Sequence, residues 1–173
     1  FFPALTPLGI DASRPFPMLA NLSLNLGVLL WPDETETAPR LAVVQVPARM
    51  PRLVRLPGAA SDHYVWLEEV IRAELQMLFP GQKLLNSAIF RISRDSELEL
   101  DDEGGRDFLE SVEDELRKRR RSQVVRLEIE AGVEGQLLDT LAVRLEVLPE
   151  DIYAVPCPLD VRALASFLDL PAL

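Results

Sequence analysis

The sequence predicts an α+β domain in which a mixed β-sheet carries about four helices, with hairpin strands first. Two observations predict this class. In several short segments apolar and polar residues alternate, which is the period of a half-buried strand. In the second half of the chain, segments with apolar residues three and four positions apart alternate with further strands, and that spacing is typical of helices. Strands followed by alternating strands and helices favour a mixed sheet with helices packed on it.

The first half of the chain is predicted to form most of its strands. Apolar residues stand at every second position from Leu22 to Leu30, and a polar turn separates this segment from a second strand at 41–46, so we expect the two to form a hairpin. Two short extended pieces follow at 51–58 and 63–67, the second running straight into a helix. Residues 1–20 contain scattered apolar anchors without a period, and we expect a loosely held ribbon there.

The second half alternates between helices and strands. Pro80 and Gly81 end the first helix, and Asp160 is a predicted cap for the last one. The predicted elements are a helix beginning at Leu67, a strand at 84–94, a helix at 103–120, a strand at 124–130, a helix carrying Leu137, Leu138, Leu141 and Leu145, a strand at 151–155, and a helix carrying Val161, Leu164 and Leu168.

Composition limits the protein classes that fit. The chain has 173 residues, of which 48% are apolar and 27% charged, which suits one ordinary globular domain. No apolar run approaches the roughly 18 residues of a membrane span, and the start lacks the pattern of a signal peptide. Cys157 is the only cysteine, which excludes an internal disulfide. We therefore expect a cytoplasmic protein without a membrane span.

Charge argues against a nucleic-acid-binding protein but leaves a local anion site open. The net charge is −10, whereas binding to nucleic acid depends on neutralising phosphates. Basic residues are nevertheless concentrated at 117–121, and Arg91, Arg94 and Arg126 lie on adjacent predicted strands, where side chains two apart share a face. Guanidinium groups match phosphate oxygens. From the residues alone we favour the simpler interpretation, in which these arginines pair with carboxylates and with the end of the 103–120 helix.

No catalytic or metal site can be predicted from the residues. His63 is the only histidine, and it has no recognisable nucleophile nearby. Glycine loops of the kind that bind phosphate are absent. The acidic residues Asp95, Asp101, Asp102 and Glu103 match no calcium loop, and an acidic helix start explains them better.

Several long motifs, in order, strongly resemble the middle, or head, domain of bacterial polyphosphate kinases. The family's F-P-x-L-T-P-L segment matches residues 2–8, its H/R-P-F-P segment matches 14–17, and its N-L-S-L-N-L strand matches 21–26. The likeness continues through LEEVIRAELQMLFPG, FRISRDSELEL, RKRRRSQVVRLEIE and EDIYAVPCPLD, so it spans almost the whole chain. Ser93 replaces the family's commoner threonine and Asp95 its commoner asparagine, and the aromatic residue often found after the arginine run is missing.

The resemblance implies an activity for the full-length enzyme and a supporting role for this chain within it. Full-length members reversibly transfer the terminal phosphate of ATP to a polyphosphate chain with Mg²⁺. Their phosphorylated histidine and its partners lie in the C-terminal part, and no position here matches them. We therefore expect residues 1–173 to be a single middle domain, with 1–20 an interdomain ribbon. The start, with two phenylalanines and no methionine, fits a piece of a longer protein.

The resemblance also implies partners and binding residues. The expected partners are other domains of the same polypeptide and a second copy in a homodimer, and the isolated fragment is expected to be inactive and to bind neither ATP nor Mg²⁺. If the domain touches polyphosphate, the expected contacts are Arg91, Arg94, Arg119, Arg120, Arg121 and Arg126. The main alternative is a pure oligomerisation module without ligand contact, and a third, less favoured, is an independent hydrolase using His63.

Overall fold

The computed structural model describes residues 5, 7–10, 16–31, 38–58, 63–95, 123–156 and 158–169. Their strands are β1 Pro7–Ile10, β2 Leu24–Trp31, β3 Arg40–Gln45, β4 Leu53–Arg55, β5 Tyr64–Trp66, β6 Lys83–Arg94, β7 Val124–Glu130 and β8 Ile152–Val155. Their α-helices are α1 Leu67–Ala73, α2 Leu75–Leu78 and α3 Gln136–Leu145. Two 3₁₀ helices cover Pro149–Asp151 and Val161–Asp169.

Six of these strands form a mixed sheet in the order β1-β3-β2-β6-β7-β8, and β4 pairs with β5 separately. Every neighbouring pair is antiparallel except β7 and β8, which are parallel. A parallel pair needs a crossover connection, and α3 lies in the one between β7 and β8. The predicted α+β class with a mixed sheet is confirmed.

The sheet separates two hydrophobic cores. Side chains alternate between the faces of a strand, so β6 sends Phe90 and Ile92 into one core and Ile89 into the other. The first core packs against α3, and the second packs against α1 and α2. We call these the α3 face and the α1 face of the sheet. Because β2 lies between two strands and faces both cores, Leu24 to Leu30 are all buried.

Two predicted helices take a different form in the structure. The single helix expected from Leu67 is divided at Glu74, where φ is −111° and ψ is 14°. The last helix is a 3₁₀ helix, and its Phe167 ring meets the Tyr64 ring edge-on with centroids 5.1 Å apart. The predicted helix at 103–120 and Cys157 lie outside the described residues.

The start of the chain corrects one expectation. Within residues 1–20, which were expected to lack regular structure, Pro7–Ile10 form β1 and pair with β3 at the edge of the sheet. Sequence reasoning missed this strand because its four residues, PLGI, are too few to establish a period and include a proline and a glycine. Leu19 is also fully buried in the core on the α3 face. How loosely the segment is held stays a prediction.

Candidate functional site: arginines on the two faces of the sheet

The first candidate residues lie on the α1 face, where β6 and β7 pair. Arg91 stands opposite Glu128 in the register and donates from its guanidinium to the Glu128 carboxylate. Arg126, two residues before Glu128 on β7, brings its Nη2 within 3.0 Å of the same carboxylate. Two guanidinium groups therefore share one buried carboxylate, which leaves one net positive charge on this cluster.

Arg126 is the outermost member of this cluster. Its guanidinium carbon lies 4.1 Å from the ring centroid of Tyr153 on β8, within the range of a cation–π interaction. Its side chain is 44% exposed, whereas that of Arg91 is 17% exposed. Arg126 is thus held in place on two sides and still faces solvent.

Arg94 lies on the other face of the sheet. It is three residues from Arg91, and side chains alternate along a strand, so the two point in opposite directions. Its Nε donates to the carbonyl oxygen of Leu19 at 3.0 Å, and its backbone N–H donates to Oδ1 of Asn21 at 3.0 Å. Arg94 therefore does not join Arg91 and Arg126 on one surface. Arg119, Arg120 and Arg121 lie outside the described residues.

A second ion pair ties α1 to the end of β7. Arg72 donates to the Glu130 carboxylate, and its Nε lies 3.7 Å from the carboxylate of Glu69 on its own helix. Glu130 belongs to the same strand face as Glu128 and Arg126. The polar part of the α1 face is therefore a run of arginine–glutamate pairs.

Among the residues that the structure describes, the most buried charged side chain is that of Glu68, which sequence reasoning missed. Its side chain is only 1% exposed, and Arg52 donates to both of its carboxylate oxygens. The Arg52 guanidinium also donates to the backbone carbonyl of Asp160 and stacks 4.9 Å from the Trp66 ring. One signal was available, because Glu68 precedes the buried Ile71 by three residues and so lies on the apolar side of α1.

Asp160 lies immediately before the C-terminal 3₁₀ helix, at the position of its predicted cap. Its Oδ1 accepts the backbone N–H of Arg162 at 3.0 Å and the Nε of the same residue at 2.9 Å. The hydrogen bond from the Arg162 side chain, together with the charges of Arg162 and Arg52, lowers the pKa of Asp160 to about 2. Arg52 and Asp160 together fasten this helix to β4 and α1.

The described residues offer no metal cluster and no membrane-spanning helix. Among them, no group of three or more histidine, cysteine, aspartate or glutamate side chains is placed to hold a metal ion. None of their helices has the length and apolar content needed to cross a membrane. His63 is exposed just before β5, and its carbonyl accepts the N–H of Leu56 at 2.8 Å.

Comparisons with known proteins agree with the resemblance. The family described as the polyphosphate kinase middle domain matches residues 1–167. A polyphosphate kinase of Bacillus anthracis is 42% identical over 170 residues, which are 95% of this chain and 24% of that protein. One of Dictyostelium discoideum is 40% identical over 175 residues, which are 99% of this chain and 16% of that protein. The chain thus spans about a quarter or less of the length of these relatives.

A solved structure shows the same fold. The crystal structure of a polyphosphate kinase from Porphyromonas gingivalis matches 99% of this chain and 23% of that chain, with a TM-score of 0.72 and 24% sequence identity. Since the family model covers nearly all of the sequence, the chain belongs to the polyphosphate kinase middle-domain family.

Proposed function

We propose that this chain is the middle domain of an enzyme that transfers the terminal phosphate of ATP to polyphosphate, and that it supports this reaction without performing it. The family match over residues 1–167 carries the proposal. The two relatives named above, both polyphosphate kinases, extend well beyond the matched part, which is 24% of one and 16% of the other, so most of each enzyme lies outside it. ATP, Mg²⁺ and the cytoplasmic location belong to the proposed parent enzyme.

The chemistry of the described side chains supports a non-catalytic role for this domain. Phosphoryl transfer needs a positioned nucleophile together with groups that hold the phosphates and the metal ion. The arginines on the α1 face are instead paired with glutamates of the same domain. His63 is exposed in a loop, and the sequence contains no recognisable motif that would place a nucleophile beside it.

The supporting part has two components in this proposal: contacts to a second copy and a wall of the cavity through which the polymer passes. Arg126 is the best described candidate for a polymer contact, because it is exposed and its cluster carries two guanidinium groups for one carboxylate. The alternative, a module that only holds the oligomer, is favoured by the fact that the same carboxylate already occupies both arginines.

Activity of the isolated chain tests the non-catalytic role. We expect no polyphosphate synthesis when the purified chain is incubated with ATP, Mg²⁺ and a polyphosphate primer, while the full-length enzyme assayed in parallel is active. ATP-dependent synthesis by the chain alone, abolished by His63→Ala, would show that the chain is itself an enzyme. Light scattering of the full-length enzyme and of the chain then measures whether the middle domain alone forms a dimer.

Substitution of Arg126 in the full-length enzyme separates the two components. Arg126→Gln should weaken polyphosphate binding by up to about fivefold at low salt, since an exposed ion pair contributes roughly 0.2–1 kcal/mol. The effect should shrink as salt screens the charges. Arg49→Gln, at an exposed turn, removes the same charge and is the control. Equal affinity in both variants at low salt would favour the pure oligomerisation module.

A further inference from the structure

The C-terminal 3₁₀ helix, Val161–Asp169, presents a straight line of apolar side chains to solvent. Side chains three apart are eclipsed in a 3₁₀ helix, so Val161, Leu164 and Phe167 stand one above the other on one side. Their exposed fractions are 57%, 43% and 38%. Single exposed apolar residues are common on protein surfaces, whereas three in line on one element form a small patch. We call these three residues the apolar stripe.

The stripe is carried by an element that is fixed to the rest of the domain. Arg52 donates to the backbone carbonyl of Asp160, immediately before the helix, and Asp160 accepts the backbone N–H of Arg162. At the other end, the Phe167 ring meets the Tyr64 ring of β5 edge-on. The helix is therefore held at both ends while the stripe itself remains exposed among the described residues. A surface held in this way can bind a partner without first being ordered.

The size of the stripe argues against a partner that binds from free solution. A stable complex of free proteins buries about 800 Å² on each side. Three partly exposed side chains offer only a small part of that area. A partner on the same polypeptide needs less contact, because the covalent link gives it an effective concentration in the millimolar range. The stripe therefore fits a tethered neighbour better than a second copy or an unrelated protein.

The position of the stripe indicates which neighbour this is. The family is described as the polyphosphate kinase middle domain, and a middle domain is followed by another along the polypeptide. The family match ends at residue 167, inside the helix that carries the stripe. The stripe thus lies on the last described element before the following domain, which begins close to it along the chain.

We propose that the apolar stripe is the docking site of the domain that follows in the full-length enzyme, and that this domain covers Val161 and Leu164 with apolar side chains of its own. The proposal rests on the proposed function in one respect, since it takes the chain to be the middle domain of a larger enzyme. It adds a third contact to those with a second copy and with the polymer. The docking fixes the orientation of the following domain relative to the sheet.

Photo-crosslinking in the full-length enzyme tests the docking. The probe is p-benzoylphenylalanine, which replaces Leu164 in one variant and Val161, one turn away, in a second. We expect both probes to crosslink to a segment that follows residue 173 on the same polypeptide, so the product keeps the mass of one chain. The control places the probe at Val143, which is exposed on α3 and lies outside the stripe. The control probe should not crosslink to that segment.

A substitution measures how much the stripe contributes to the docking. In limited proteolysis of the full-length enzyme, Leu164→Gln should speed cleavage between this domain and the following one by about tenfold, since burial of the leucine favours the docked state by roughly that factor. Val143→Gln makes the same kind of change at another exposed apolar position and should alter the rate by less than about twofold. Both side chains are exposed, so neither change should disturb the fold of the domain.

Several results would overturn the proposal. A crosslinked product with the mass of two chains would assign the stripe to a second copy. Crosslinks within residues 1–173, or to a segment that precedes residue 1, would assign it to this domain or to the one before it. The absence of a crosslink from both positions would leave the stripe in solvent, and equal cleavage of the Leu164→Gln and Val143→Gln variants would show that the stripe contributes nothing of its own.

Polyphosphate synthesis by the same samples separates this proposal from the proposed function. Synthesis that persists beside any of these contrary results leaves the proposed function standing and removes only the docking. A wild-type full-length protein that makes no polyphosphate contradicts the proposed function, whereas its crosslinks still report whether the stripe is a docking site.

Discussion

Glu68 and Glu128 are the two buried carboxylates among the described residues, and each is held by an arginine from another element. Glu68 on α1 is bound by Arg52, and Glu128 on β7 is bound by Arg91 on β6. A buried carboxylate is costly unless its charge is paired and hydrogen-bonded, so these arginines are needed where they are. At the residue scale, the pairs Arg52–Glu68, Arg72–Glu130 and Arg91–Glu128 each join parts of the chain that are distant in sequence.

The first prediction concerns Glu68. Glu68→Gln should lower the free energy of unfolding by about 3 kcal/mol, because it leaves the Arg52 guanidinium without its main partner in a buried place. Urea unfolding measures the change. Glu69→Gln is the control on the neighbouring residue, whose side chain is 39% exposed, and should cost less than about 1 kcal/mol. Equal effects of the two substitutions would contradict the role given to Glu68.

The second prediction is a pH dependence at Asp160. Its pKa falls from 3.8 to about 2 in the folded chain, chiefly because the Arg162 side chain donates to it. A lowered carboxyl pKa stabilises the fold above the unfolded pKa, and that contribution is lost as pH falls through the folded pKa. The unfolding free energy should therefore drop between about pH 4 and pH 2 more steeply in the wild type than in Asp160→Asn. Carboxylates common to both proteins cancel, and parallel curves would refute the assignment.

Some of these residue contacts were predictable and some were not. The general preference for arginine–carboxylate pairs and the capping position of Asp160 follow from composition and local spacing. The partner of Glu68 does not, because Arg52 lies 16 residues away and the pair forms only when β4 and β5 bring the two together. The opposite directions of Arg91 and Arg94 could have been predicted from their spacing, since residues three apart on a strand point to different faces.

At the element scale, strands with clear alternation were predicted closely, and those without it were not. The strand expected at 124–130 is β7, Val124–Glu130, and the one expected at 84–94 is β6, Lys83–Arg94. Both carry buried apolar residues at every second position in their central parts. The short β1 has no such pattern, and its strand conformation depends on pairing with β3. A pairing partner distant in sequence cannot be seen in local periodicity.

The third prediction concerns the contact between β2 and α3. A Cβ atom at Gly27 would lie 3.2 Å from Cδ1 of Leu141 and 3.5 Å from the Phe90 ring, and both of those residues are fully buried. Gly27→Val should therefore destabilise the fold by about 1–3 kcal/mol through overpacking. Gly9→Val on β1 is the control, since nothing lies within 4 Å of its Cβ position. Equal urea midpoints for the two variants would rule out a tight β2–α3 contact.

The fourth prediction concerns β1. We expect the amides of Leu8 to Ile10 to exchange with deuterium faster than the paired amides of β7. The physical reason is that β1 is a four-residue strand at the edge of the sheet, whereas β7 pairs on both sides. Hydrogen exchange followed by mass spectrometry measures this. Equal protection of the two strands would mean that the opening segment is an integral part of the sheet rather than a loosely held ribbon.

At the scale of the whole molecule, the two faces of the sheet differ in chemistry. The α1 face carries the Arg72–Glu130 pair and the Arg91–Glu128–Arg126 cluster, whereas on the α3 face Arg94 and Arg144 help to line a cavity of about 460 Å³. The sequence predicted that arginines would gather near β6 and β7, and their spacing separates Arg91 from Arg94. Which helices cover each face depends on the strand order and on long-range pairing, which local spacing does not reveal.

The shared strand β6 has a consequence for how the domain melts. Phe90 and Ile92 belong to one core and Ile89 to the other, so neither core can be opened without disturbing the same backbone. We expect calorimetry of the chain to show a single heat-absorption peak whose calorimetric and van't Hoff enthalpies agree. Two peaks would mean that the cores melt separately. If a single peak is found, a destabilising substitution on either face of the sheet lowers the melting temperature of the whole domain, including the opposite face.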